Sequence, residues 1–225
     1  MSFGRLFRWD LRFQARYGFY LLYGFLTTFY AIILFALPES WKEKMAAILI
    51  FSDPAAMGLF FMGAIILLEK SQKVTSYFAI TPLKARNYVW CKVLSLCAIS
   101  LVVAAVLAVI ARHRHILLLL AGTFLASVIF TLCGIIVATK ISSLNQFILF
   151  TVPIEVIGFI PAILHLFGVG SFPRVYPSNV CMDLVMGKVP SFLGFTVTVL
   201  TIVLLTMGAN KSVLKLWQEQ GGIKL

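Results

Sequence analysis

Six runs of this chain are long and apolar enough to cross a bilayer, and nearly every charged residue lies between them. The runs cover residues 18–37, 48–68, 93–111, 116–139, 145–167 and 192–210. A helix needs about 20 apolar residues to cross the hydrocarbon core. In a chain of 225 residues, six such runs leave only short connections and no room for a soluble domain. The expected fold is all-α: a polytopic membrane protein with six transmembrane helices, forming one domain over residues 1–225. Composition agrees, since 61% hydrophobic and 12% charged residues fit neither a soluble enzyme nor a disordered chain.

The net charge of +11 is a topological signal, because the basic residues flank the apolar runs. That position argues against a nucleic-acid partner. With the N-terminus in the cytoplasm, thirteen Lys and Arg fall inside and six outside. The bias places both termini in the cytoplasm. The turn Arg112-His113-Arg114-His115 is a basic exception on the outer side.

Residues 1–17 predict an amphipathic connecting helix. At about 100° per residue, Arg5, Arg8, Arg12 and Arg16 share one narrow arc, and Phe3, Leu6, Phe7, Trp9 and Phe13 fill most of the rest. Such a helix lies in the interface, with arginines at lipid headgroups and aromatics in the acyl boundary. The longest cytoplasmic stretch is 69–92. Val74, Tyr77, Phe78 and Thr81 recur there at helical spacing, and Pro82 ends the pattern. The spacing predicts a short helix over 74–81 whose aromatics form a docking surface. In the outer segment 170–190, Ser178-Asn179 predicts a cap for a short helix through Val185, with Gly187 as its stop. Val180, Leu184 and Val185 suggest that this helix dips into or lies on the outer leaflet.

Motifs of catalysis are missing. The chain has no HExxH, GxSxG or GxxxxGK[ST], and its four cysteines form no CxxC pair. His113 and His115 lack an obvious third metal ligand, so no metal site is expected, and His165 reads as an interfacial polar residue. Asp53-Pro54 reads as the N-cap and first turn of the second span. Phe19, Tyr20, Tyr23, Phe25, Phe29 and Tyr30 of the first run read as lipid contact or packing, the alternative being a lining for an apolar path. Glu155 lies about 15 Å into the fifth run, close to mid-membrane. Such an acid is either a functional group or a partner in a structural hydrogen bond.

The cytoplasmic segment resembles a known family. Glu69 at the end of the second run, Thr75, then Thr81-Pro82-Leu83, Tyr88 and Lys92 are similar to the signature of ABC type-2 export permeases. The order of parts also matches, from amphipathic helix to outer segment. Val74 stands where the family has Gly, and the acidic-basic cluster is reduced to Glu69-Lys70. The resemblance implies that the 74–81 region is a coupling helix seated on a separate ATP-binding subunit. Glu69, Lys73, Thr75, Tyr77, Phe78, Thr81 and Pro82 would couple the two. ATP and Mg would then be held by that partner, with no cofactor on this chain. The path would lie between two permease subunits, identical or paralogous, in a bacterial plasma membrane. The small six-span members resemble drug or peptide efflux permeases, including fluoroquinolone exporters. The competing readings are a proton-coupled carrier using Glu155, an intramembrane enzyme, and a non-transporting scaffold or immunity protein.

Overall fold

The computed structural model describes residues 3–79, 81, 83–169 and 174–220, and these are helical with short connections. The helices are α1 (Phe3–Arg16), α2 (Phe19–Ala36), α3 (Glu39–Ser52), α4 (Leu59–Ser71), α5 (Val74–Ala79), α6 (Ala85–Ile110), α7 (Ile116–Lys140), α8 (Leu144–Leu166), α9 (Pro177–Val185) and α10 (Phe192–Gln220). A π-helical segment, Asp53–Gly58, joins α3 to α4 without a break.

Among the described residues, five helices are long and apolar enough to cross a membrane: α2, α6, α7, α8 and α10. The chain is therefore a multi-pass membrane protein. The expected second span is not a single α-helix, because α3 and α4 share it across the π-helical segment. Pro54 has no N–H to give to a carbonyl one turn earlier, and a widened turn accommodates that loss. Asp53 is therefore no N-cap. It has helical backbone angles within the run and is 1% exposed.

Helix α7 is the centre of the bundle and packs against α4, α6, α9 and α10. Small residues allow the close approaches. A Cβ on Gly122 would lie 2.7 Å from the Cys181 carbonyl oxygen of α9, and one on Gly134 would lie 2.9 Å from the Leu59 carbonyl oxygen of α4. Gly122→Ala therefore has to push α9 off α7. The expected cost is about 1–3 kcal/mol, read as a lower thermal unfolding midpoint in detergent. Gly4→Ala is the contrast, because nothing lies within 4 Å of that position. It should be neutral or slightly stabilising, as expected for Ala replacing Gly in an open helix.

Helix α9 begins two residues earlier than a cap at Ser178 predicts, with Tyr176 as its N-cap and Pro177 in its first turn. Gly187 does end it, at φ 73°. Val180, Leu184 and Val185 are buried, and α9 packs on α7 and α8. His165, at the end of α8, meets Asp183 of α9 at 3.0 Å. Gly170 and Pro173 lie outside the described residues. At the opposite end of α7, the Lys70 ammonium of α4 donates to the carbonyls of Ala138, Thr139 and Ile141 at 2.7, 2.9 and 2.7 Å. Those carbonyls have no partner within their own helix end, so Lys70 acts as their cap.

Candidate functional site

The side chains that the sequence singled out around 69–92 gather where α1, α4, α5, α6 and α10 meet. After α4 ends at Ser71, the chain turns through Gln72 and Lys73. Lys73 has φ 57°, and its N–H donates to the Lys70 carbonyl at 3.0 Å. The turn sets α5 back against the bundle and gives its two aromatics opposite orientations. Tyr77 is 66% exposed, whereas Phe78 is 9% exposed.

Phe78 sits in an aromatic nest. Its ring centroid lies 5.9 Å from Trp9 of α1, 5.7 Å from Tyr88 of α6 and 6.2 Å from Trp217 of α10. Phe78 is thus the anchor of α5, and Tyr77 and Lys73 form its outward surface. Thr75 is buried beneath the helix. Thr81 is exposed, and its hydroxyl donates to the Phe78 carbonyl at 2.9 Å, closing the end of α5. Pro82 lies outside the described residues. The helix ends at Ala79, two residues before the predicted limit.

Directly behind this nest is a buried ionic cluster. The Lys92 ammonium of α6 meets Glu69 Oε1 of α4 at 2.6 Å and also meets Asp10 Oδ1 of α1. The Tyr88 hydroxyl donates to Glu69 Oε2 at 2.5 Å. Gln14 Nε2 donates to Asp10 Oδ2 at 2.9 Å, and the Ser95 hydroxyl donates to the same oxygen. Lys92 also lies 5.5–5.7 Å from the ring centroids of Trp9, Phe13 and Tyr88. Asp10, Glu69 and Lys92 are each no more than 1% exposed. Charges this deep survive only when paired and hydrogen-bonded. Both conditions hold here, and the pairing locks three helices to one another.

Sequence reasoning missed Asp10, Gln14, Ser95 and Trp217. A signal for Asp10 was present: it is the one acid of α1, and it lies away from the arginine arc. The arginines Arg5, Arg8, Arg12 and Arg16 are all exposed. The opposite side of α1 is not simply an apolar lipid face. Leu6, Asp10, Phe13 and Gln14 are buried, and α1 packs on α6.

Glu155 stands apart from this cluster. It is half-buried on α8 among the exposed Val152, Val156 and Ile157. Among the described residues, no three His, Cys, Asp or Glu side chains are placed to hold a metal. Through Phe78, α5 touches α1, α6 and α10 at once.

The chain is similar to known proteins over most of its length. Residues 2–214 match the profile of the fluoroquinolones export permease protein family. Two curated relatives are proteins of Mycobacterium tuberculosis, strains CDC 1551 / Oshkosh and ATCC 25618 / H37Rv, each named as a fluoroquinolones export permease protein. Each is 29% identical over 171 residues, covering 75% of this chain and 72% of the relative.

Proposed function

The chain belongs to the fluoroquinolones export permease protein family, and from that premise we propose that it is the transmembrane subunit of an ATP-driven ABC exporter. The observation that carries this reading is α5, a short helix anchored by Phe78 with Tyr77 turned outward. A loop that merely joined two spans would need neither feature. In this reading α5 is the coupling helix, and a separate ATP-binding subunit receives Tyr77 and Lys73. That subunit holds ATP and Mg.

The sixth span is the run from α3 through the π-helical segment to α4. At about 1.5 Å per residue, its 33 residues from Glu39 to Ser71 reach about 50 Å. That exceeds a hydrocarbon core of about 30 Å, so the ends project into the headgroups on both sides. Both termini are cytoplasmic, and the exposed arginines of α1 lie at the inner headgroups. Two permease subunits, identical or paralogous, flank the path in a bacterial plasma membrane. The substrate is hydrophobic or amphipathic, consistent with relatives named for fluoroquinolone export.

Mechanically, ATP closes two nucleotide-binding subunits and displaces α5. Phe78 passes the push to Trp9, Tyr88 and Trp217, and the helices tied by Lys92 rock as a body between two arrangements. Work enters only because the docking contacts of α5 differ between those arrangements.

The test is purification from the native cell in mild detergent, with bound ATPase measured. An ATP-hydrolysing subunit should copurify and be lost when residues 74–79 are replaced by a Gly/Ser linker. Tyr77→Ala should lower association at least tenfold while leaving the thermal midpoint unchanged. A correctly folded protein that never brings down an ATPase would refute the reading and return the choice to a proton-coupled carrier or a scaffold.

A further inference from the structure

Asp53 is the one deeply buried acid that the coupling mechanism does not use. Neither carboxyl oxygen has a partner in full hydrogen-bond geometry, and Ser100 is the one side chain poised to donate to it. Tyr23 of α2 and Ser100 of α6 stand beside it. The Tyr23 hydroxyl and the Ser100 Oγ are likewise buried and unpartnered. No basic side chain among the described residues acts on the carboxyl. The acid also starts the π-helical segment, a rare geometry that occurs often at functional sites.

A second feature adjoins these residues. Between α2 and α6 lies a cavity of about 500 Å³, lined by Leu11, Tyr20, Tyr23, Gly24, Thr27 and Val102 among others. That volume suits a drug-sized ligand. The lining is mostly apolar, with tyrosine rings at one side. Nothing lies within 4 Å of a Cβ built on Gly24, so the α2 backbone is bare to the groove. The Thr27 hydroxyl is already spent on the Tyr23 carbonyl at 2.7 Å. Tyr23 belongs to both features: it lines the groove and it borders the acid. Tyr23 is buried and its ring packs edge-on against Phe61 at 4.8 Å, so an amine reaches the acid only if the ring gives up that contact.

We propose that the α2–α6 groove binds an amphipathic organic cation, with its apolar body along the groove and its protonated amine paired to Asp53 behind Tyr23. The proposal rests on the permease reading and names the substrate class for it. A carboxylate alone in a low-dielectric interior is strongly disfavoured, and an arriving ammonium supplies the missing partner. Ser100 and Tyr23 add hydroxyls to the same amine, and tyrosine faces attract a cation. A neutral molecule of the same shape gains the groove but not the pairing.

The experiment uses the full chain in lipid nanodiscs and two fluorescent probes. One is the methyl ester of a fluoroquinolone with a free piperazine amine, so that the protonated amine is its one charge. The other is its N-acetyl derivative, which keeps the rings and loses the basic nitrogen. Wild type should bind the amine at least tenfold more tightly. Asp53→Asn, which keeps the side-chain shape, should bring the two affinities within about twofold by weakening the amine alone. Ser100→Ala should fall between. The proposal is overturned if wild type does not discriminate, as for an acyl chain in the groove, or if Asp53→Asn still does. It is also overturned if both probes weaken together in a folded variant. The permease reading fails separately, by absence of an ATPase in the copurification.

Discussion

Replacing Lys92 with Met is expected to destabilise the protein by about 3–5 kcal/mol, the usual cost of removing one member of a buried ion pair. Met has similar reach and leaves little void. What it leaves is Asp10 and Glu69, both buried, without their cation. The hydrogen bonds from Tyr88, Gln14 and Ser95 remain, but they do not neutralise two carboxylates. A thiol-reactive fluorophore gives the readout, because Cys91 is 1% exposed and adjoins Lys92 in sequence. The unfolding midpoint should fall by roughly 6–20 °C for a chain of this length. Adding Asp10→Asn and Glu69→Gln to the same chain should recover most of the loss, since a neutral cluster carries no desolvation debt. An unchanged midpoint in the single variant, or no recovery in the triple, would show that charge does not hold these helices together.

Phe78→Ala should cost about 3 kcal/mol, at the lower end for a buried Phe because its site lies near one end of the bundle. The lost contacts are those with Trp9, Tyr88 and Trp217. Because α5 has only six residues, it has little helical stability of its own and depends on this seat. Amide exchange over Val74–Ala79 should therefore rise, while exchange in α7 stays slow. Phe78→Leu should restore part of the protection. Tyr77→Ala should leave stability within about 0.5 kcal/mol, as is usual at an exposed site. If Tyr77 proved the costlier of the two, the division between anchor and outward surface would be wrong.

The spans were legible because a bilayer demands a long apolar run, and runs are a local property of sequence. What was not legible is where a helix continues past the lipid. Helix α6 starts at Ala85, eight residues before its apolar run, and α10 continues to Gln220. Their extra turns are held by neighbours such as Trp217 and Tyr88, whose rings meet at 5.6 Å. The second span was misread at Asp53-Pro54, where helix-start chemistry and a mid-helix widened turn use the same two residues. Glu69 and Lys92 stood out at run ends, but the Lys92 bond to Asp10 crosses 82 residues and leaves no local trace. The split between Tyr77 and Phe78 was equally hidden, since the helical pattern places both on α5 and only the nest of Trp9, Tyr88 and Trp217 decides which turns inward.

The three carbonyls held by Lys70 have a kinematic consequence. Helices α4 and α7 cannot part at that end without stripping an ammonium of all three acceptors. At its other end α7 is pinned to α9 by the Gly122 approach. The three helices are therefore one unit, and because Lys92 also ties α4 to α1 and α6, the rocking body of the proposed mechanism carries α7 and α9 with it, while α2 and α8, whose faces are mostly uncovered, are left to shift against it.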